Sequence, residues 1–464
     1  MINIFRHYVP GRLIVLAALE ALVLLNAALV GIMLHIAGTG TAIPGAGAAI
    51  PPQAIAFVLC MMIVISSMGL YQPDLWSNSK SIGVRVAAAF LLGLAITSLI
   101  AYLVPSLDPG PIALGGALTV ALAGSVLVRA AFHKWNTVSA FKSRVLVLGT
   151  GSRAVKLAEY AQRSPNHYVI GFLALQPARH YVPEQHILTL APGDSLSAVV
   201  ARHAIDQIVV AVRDRRGGGF PVQQLLECKM KGVKVIELPT FFEREYRQVM
   251  LESLNPSWMV LGNGFRQGLL GDFVKRLFDL TVSGALLIAT LPIMLITALC
   301  IYLESGFPVL YRQRRVGQGG RIFTLYKFRS MRIDAESAGT PHWASEGDER
   351  ATRVGRFIRK WRIDELPQIF NVLRGEMSFV GPRPERPFFV DQLAKQIPYY
   401  ALRHSATPGI TGWAQVRYQY GASVDDAIEK LQYDLYYLKN QSLFLDLMIM
   451  IATVEVVLWG RGAR

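Results

Sequence analysis

The chain has 464 residues, enough for two or three folded units, and is 52% hydrophobic with only 17% charged residues, more apolar than a typical soluble domain. Its formal net charge of +15 suits a partner rich in phosphate: anionic lipid, nucleotide or nucleic acid. The three cysteines (Cys60, Cys228, Cys300) are scattered and the nine histidines form no H-x-x-x-H pair, so neither a disulfide framework nor zinc chemistry is supported.

Residues 1–135 read as a membrane bundle. Apolar stretches at Leu13–Ala37, Ala54–Tyr71, Val84–Val104 and Ile112–Phe132 each approach the ~20 residues that span a bilayer. Arg6 and Arg12 give the first stretch the look of a signal peptide, but its apolar run is too long and three more follow. The loop 38–51 has no charge and the loop 105–111 only Asp108, whereas Lys80, Arg85, Arg129, Lys134, Lys142 and Arg144 flank the other connections. The positive-inside rule then places both ends of the bundle in the cytoplasm.

From Ser143 to about Val260 the composition changes to soluble α/β. The buried run Val145–Leu148 leads into Gly149-Thr150-Gly151-Ser152-Arg153-Ala154 and a helical stretch, Val155–Ala161, with further strands at Val169–Leu173, Gln207–Val212 and Val233–Ile236. This is a Rossmann-type order. The acidic ribose ligand expected after the second strand is missing, and Ala174, Leu175 and Gln176 stand there, so a structural or regulatory domain is favoured over a dinucleotide site. Gly217-Gly218-Gly219 reads as a flexible surface loop and Asn255–Asp272 as a linker.

Phe273–Leu303 would be roughly 45 Å long as a straight helix. Pro292 lacks an N–H and leaves the Ile288 carbonyl unpaired, which predicts a bend, with Ser283 and Thr290 able to satisfy freed groups. A kinked span and a re-entrant hairpin compete. Lys275 and Arg276 before the run, and Arg312, Arg314 and Arg315 after it, favour the hairpin with both ends in the cytoplasm. The turn-and-strand segment Ser305–Met331 delivers Lys327, Arg329 and Arg332. Asp334–Arg350 is polar and without periodicity, a loop that is either inert or a lid. Ser442–Trp459 is apolar but carries Asp446 and Glu455, so an interfacial or packed helix fits better than a span.

The chemistry concentrates in Trp361–Glu385, WRIDELPQIFNVLRGEMSFVGPRPE. Asp364 and Glu365 precede Leu366-Pro367 and a run with helical spacing that Gly375 ends. This puts the acids at the mouth of a helix, where backbone N–H groups form an anion site. Taken alone, such a pair most often just caps a helix. Here Arg359, Lys360, Arg362, Arg374, Arg383 and Arg386 surround it in sequence, which points to a phosphate site with a metal. Met377–Val380 reads as a strand, and Gly381-Pro382-Arg383-Pro384 as a stiff turn aiming one guanidinium.

This signature resembles that of the bacterial sugar transferases, the monotopic polyprenyl-phosphate phosphoglycosyl transferases. The similarity runs from Lys275 to about Arg464. It takes in Lys275–Asp279, Tyr326–Met331, Thr352–Arg356, Pro408–Trp413 and Tyr433–Tyr437. It implies a membrane protein of three parts: a four-helix transmembrane bundle (1–135), a Rossmann-like α/β domain (143–262) and an α-rich catalytic domain (273–464) with a re-entrant helix (273–303) and interfacial helices. It further implies a bacterial inner-membrane location with the catalytic domain facing the cytoplasm. The implied reaction moves a sugar 1-phosphate from a nucleotide-diphosphate sugar, a UDP-sugar first among them, to polyprenyl (undecaprenyl) phosphate. Asp364 is the implied nucleophile and Glu365 the implied Mg²⁺ ligand, and both residue types suit these roles. Lys327, Arg329, Arg359 and Arg383 are candidate phosphate or nucleotide ligands, and Lys275 a candidate for the lipid phosphate, although snorkelling explains Lys275 nearly as well. Membrane lipid is an expected partner, nucleic acid is not, and self-association is left open.

Two other classes compete. A membrane-tethered nucleotide-sugar dehydratase or epimerase would share the spans and the glycine-rich βα unit, but residues 143–262 lack the acidic ribose ligand and an evident Tyr-x-x-x-Lys pair. An assembly scaffold would not need acids paired with so many cations. The sugar and the polysaccharide pathway are not legible.

Overall fold

A computed structural model describes residues 2–4, 7–41, 50–71, 79–136, 142–161, 167–175, 181–189, 195–212, 220–253, 268–332, 350–418, 421 and 423–459. The Gly217–Gly219 loop, most of the 255–272 linker and the polar segment 334–349 lie outside them. Two compact units form: residues 126–262, and residues 2–125 together with 263–464.

The chain opens with a hairpin of β1 (Ile2–Ile4) and β2 (His7–Val9), followed by α1 (Gly11–Thr39), α2 (Pro52–Ser67), α3 (Ser79–Leu103) and α4 (Pro111–Asn136). α1, α4 and the Ile82–Leu103 part of α3 are long and apolar enough to cross a membrane. α2 is a shorter apolar helix of 16 residues. Its 16 residues reach about 24 Å, short of the ~30 Å hydrocarbon core. Met68–Tyr71 continue its apolar pattern but form a turn, which Arg85 closes by donating to the Met68 carbonyl at 2.7 Å. Small residues (Ala27, Ala54, Ala89, Ala117) let the four helices approach closely around Leu24, Phe57 and Met61.

The unit of residues 126–262 holds β3 (Ser143–Leu148), α5 (Ser152–Ala161), β4 (His167–Leu173), β5 (Ile187–Leu188), α6 (Leu196–Arg202), β6 (Gln207–Val210), α7 (Val222–Met230), β7 (Lys234–Glu237) and α8 (Leu238–Glu245). All five strands are parallel, in the order β5-β4-β3-β6-β7, so the winding reverses at β3. Side chains alternate along each strand. Val145 and Val147 pack under α5 and α8, while Leu146 and Leu148 pack under α6 and α7. Two-residue β5 is too short to leave a sequence signal.

The C-terminal region comprises α9 (Leu269–Ser305), the antiparallel hairpin β8 (Leu310–Val316) and β9 (Ile322–Phe328), α10 (Arg353–Lys360), a 3-10 turn (Ile363–Gln368), α11 (Ile369–Arg374), β10 (Ser378–Val380), α12 (Pro387–Gln396), a second 3-10 turn (Tyr400–Ser405), β11 (Gly409–Thr411), α13 (Trp413–Arg417), α14 (Val424–Asn440) and α15 (Leu443–Leu458). α9 continues through Pro292 as one helix of 37 residues. Thr290 Oγ1 donates to the Leu286 carbonyl at 2.7 Å, whereas Ser283 Oγ has no partner among the described residues, so of the two expected hydroxyls Thr290 is the one seen to bond backbone.

α9 stays on the C-terminal region over its whole length. Near its start, Arg276 donates to the carbonyls of Val372 and Leu373 at the end of α11 (2.6 and 2.8 Å), and Asp279 accepts from Ser378 Oγ and the Phe379 N–H (both 3.0 Å). At its far end, Glu304 accepts from the N–H groups of Arg353 and Val354, and Arg329 donates to the carbonyls of Ser305 and Gly306. Charged side chains thus satisfy helix-terminal groups that have no intrahelical partner. The opposite face exposes Leu277, Ile288, Leu291, Leu295, Leu299 and Leu303.

α15 packs on α13, on β10 and β11, and on α2. Its two acids are buried and paired: Asp446 with Lys275 at 2.8 Å, Glu455 with Arg85 at 2.9 Å. At the other end of the chain, His7 is buried against Trp413 and its Nδ1 lies 3.0 Å from the Tyr436 hydroxyl, which docks the first hairpin on α13 and α14.

Candidate active site

α10 presents Arg359 and Lys360 in its last turn, and Arg362 then reverses the chain with φ 56°, in the left-handed region. A residue with a Cβ pays for that conformation with roughly 1–2 kcal/mol. The reversal sets Asp364 and Glu365 into the first turn of the 3-10 segment, both 8% exposed. α11 follows and stops at Gly375, whose φ of 83° suits glycine. The acids therefore lie inside the first turn rather than ahead of it, because the helix begins as a tight 3-10 turn around Pro367.

The two carboxylates differ sharply. Oε1 of Glu365 accepts from Lys327 Nζ and Arg383 Nη2, both at 2.9 Å, and lies 3.5 Å from Arg362 Nη1. Burial works to raise its pKa, but Lys327, Arg383 and Arg362 outweigh that and hold it well below the usual carboxylate range. Asp364 accepts no hydrogen bond from any described residue. Burial raises its pKa, with Glu365 adding to the rise, against the pull of Lys327, Arg362 and Arg359. One carboxylate is immobilised by cations; its neighbour is held in their field and accepts no hydrogen bond from a described residue.

Lys327 and Arg383 are themselves held in place. Lys327 stands on β9, and buried Asn371 of α11 ties that strand to the acidic turn. Asn371 donates to the Thr324 carbonyl (2.7 Å) and accepts from the Tyr326 N–H (3.2 Å). Arg383 follows β10, which pairs in parallel with β11. Gly381 and Gly409 meet backbone to backbone there, leaving no room for a Cβ on either. Gln415 Oε1 accepts from Arg383 Nη1 at 2.9 Å, and Arg403 donates to the Arg383 carbonyl at 3.1 Å. Arg403 is buried, bonds the Tyr400 hydroxyl at 2.7 Å and pairs with Asp434 at 2.8 Å. Burial pushes the Asp434 carboxyl up to about 6 even against Arg403.

Of the residues proposed from sequence, the fold brings together Asp364, Glu365, Lys327 and Arg383, with half-buried Arg359 acting on Asp364 through its charge. Arg329 instead caps α9. Lys275 is buried between Asp446 and Asp279 (2.8 and 3.8 Å), a position that suits neither snorkelling nor an exposed lipid-phosphate contact. Arg374 turns outward to Tyr326. Asn371, Arg403, Gln415 and Asp434 carried no signal, since apart from Tyr400, Glu376 and Ile410 their partners are 20 or more residues away.

Residues 270–460 match the family model described as Bacterial sugar transferase. Among similar proteins, the UDP-N-acetylgalactosamine-undecaprenyl-phosphate N-acetylgalactosaminephosphotransferase of Aeromonas hydrophila is 40% identical over 302 residues, 65% of this chain and 69% of that protein. The UDP-glucose:undecaprenyl-phosphate glucose-1-phosphate transferase of Xanthomonas campestris pv. campestris is 32% identical over 364 residues, 75% and 73% of the two chains. The protein of the same name from Klebsiella pneumoniae is 34% identical over 337 residues, 71% and 70%. With these matches extending well beyond the motif region, the chain belongs to the bacterial sugar transferase family.

Proposed function

We propose that this protein transfers a sugar 1-phosphate from a UDP-sugar to undecaprenyl phosphate, in two steps through Asp364. The observation that carries the assignment is the contrast between cation-bound Glu365 and Asp364, whose carboxylate no described residue hydrogen-bonds. In the first step an Asp364 oxygen attacks the sugar-bearing phosphorus. The bond from that phosphorus to the bridging oxygen breaks, and the nucleoside monophosphate leaves with the electron pair. In the second, a phosphate oxygen of the lipid attacks the phosphosugar, the bond to Asp364 breaks and the carboxylate is regenerated. Arg359, Arg362, Arg383 and Lys327 supply the fixed positive field that such charge movement needs.

Mg²⁺ fits this donor set. It takes one or two carboxylates plus substrate phosphates, and Glu365 is kept ionised beside Asp364. No cluster of three or more His, Cys, Asp or Glu occurs among the described residues, so a closed all-protein cage is not available there. Held by Glu365, the ion would neutralise charge on the diphosphate.

The expected result is a burst. With UDP-sugar and Mg²⁺ alone, nucleoside monophosphate should appear up to about one equivalent of active sites. Release only after undecaprenyl phosphate is added would instead mean direct transfer.

For topology, we infer that α9 is re-entrant and that both of its ends, with the active site, face the cytoplasm of a bacterial inner membrane. Fastening of both helix ends to the same region, and an apolar outer face between them, support this. Cysteines placed at Arg276 and Arg312 should react with impermeant reagent only from the cytoplasmic side; labelling of either from outside would establish a span.

A further inference from the structure

Arg383 owes its aim to a very short helix. α13 spans only Trp413–Arg417, and helices below ~12 residues are marginal on their own. Gln415 on this helix accepts from Arg383 Nη1 at 2.9 Å, while Arg383 Nη2 bonds Glu365. The direction of the guanidinium therefore depends on whatever anchors α13. At its entry, Gly412 sits against the Gly381 carbonyl with no room for a Cβ. Two residues before Gln415, the side chain of Trp413 is buried, with the Arg417 guanidinium 5.5 Å from its ring. One wall of the Trp413 socket is Tyr436 of α14, at 6.1 Å between rings. Another comes from the start of the chain. The buried His7 ring meets Trp413 edge-on at 5.5 Å and lies 5.8 Å from Tyr436 and 6.3 Å from Phe444 of α15.

We propose that His7 is a positioning residue for Arg383, acting through Trp413 and Gln415, so that the first hairpin is a functional part of the catalytic domain. The proposal rests on the transfer reading above. A two-stranded hairpin is marginal by itself and needs a surface to dock on. The Tyr436 hydroxyl supplies the fixing point: it accepts from the Tyr8 N–H at 3.5 Å and lies 3.0 Å from His7 Nδ1, holding two successive residues of β2. Edge-to-face ring pairs have a preferred geometry, so His7 sets the tilt of Trp413 as well as filling space beside it. Without His7, Trp413 is free to rock, α13 rocks with it, and Gln415 drifts from Arg383. Arg403 holds only the Arg383 carbonyl and cannot replace that contact. The guanidinium then keeps Glu365 but loses the orientation of its plane, which is what two-point recognition of a phosphate requires.

The test is a double-mutant cycle read on the monophosphate burst at limiting UDP-sugar, with an unfolding curve for each variant. His7→Ala and Gln415→Ala should each slow the burst about tenfold, within the penalty that misplacing a reacting group brings. The double variant should be no slower than Gln415→Ala, because His7 acts through that side chain. An unchanged burst in folded His7→Ala overturns the proposal. Losses that multiply to about a hundredfold in the double variant overturn it as well, since independent sites add in free energy and His7 would then be a general stabiliser. Tyr436→Phe guards against misfolding of His7→Ala. It keeps the ring beside Trp413 and removes only the hydroxyl that holds β2, so it should slow the burst several-fold in the wild-type background and not in Gln415→Ala; any other pattern overturns the proposal. If the wild-type protein gives no burst, the two-step reading falls, and the same cycle is read on overall transfer at limiting UDP-sugar.

Discussion

Asp364→Asn should abolish the monophosphate burst and lower overall transfer by roughly 10⁴-fold or more, the scale on which loss of a covalent nucleophile acts. An amide cannot form the acyl phosphate. The fold should survive, because no described residue hydrogen-bonds the Asp364 carboxylate and burial already penalises its charge. The measurement is monophosphate released from UDP-sugar without acceptor, alongside an unfolding curve; a retained burst would demote Asp364 to a base or a metal ligand. The pH dependence has a definite sign. Only the ionised carboxylate attacks, and burial raises its pKa above the ordinary 3.8. The burst rate should therefore fall on acidification at a pH higher than an ordinary aspartate would give.

Glu365→Gln should cost both activity and stability. Lys327, Arg362 and Arg383 converge on one Glu365 oxygen, and removing that charge leaves three cations in mutual repulsion. Breaking a buried pair from one side typically costs about 3–5 kcal/mol, and displacement of reacting groups by about 1 Å costs roughly 10²-fold in rate. Because the folded state depresses the pKa of Glu365, its contribution is fully present above the ordinary glutamate value and is lost as pH falls through the folded value. The Tm gap between wild type and variant should thus be large near neutral pH and narrow in acid. An equal gap at both would mean that the loss is one of packing, not charge. The burst should weaken in parallel, in line with the role proposed for Glu365 as the Mg²⁺ ligand.

Much of the site was readable because its central signals are local. Arg359, Asp364, Glu365 and Arg383 lie within 25 residues, and turn and helix rules act over that range. Counting neighbouring charges nevertheless treated Arg374 and Arg359 alike, although one faces Tyr326 and the other acts on Asp364. Lys275 and Arg329 look like ligands in a motif, and the fold sets one between two buried acids and the other at a helix end. Direction of a side chain on a helix or strand depends on what packs against it, and no short window contains that.

The sequence by itself determined the apolar helices, the alternating strands of the sheet, the paired acids and the turn that carries Arg383, since each follows from periodicity or backbone restriction within a few residues. The tertiary structure alone decided which acid is bound and which is open, that α2 stops short, and that Arg85 reaches Glu455 and Arg403 supports Arg383. Those outcomes join residues as many as 370 positions apart. A buried charge must find its opposite wherever the fold brings one, because leaving it unpaired in a low-dielectric interior costs more than any local preference can return.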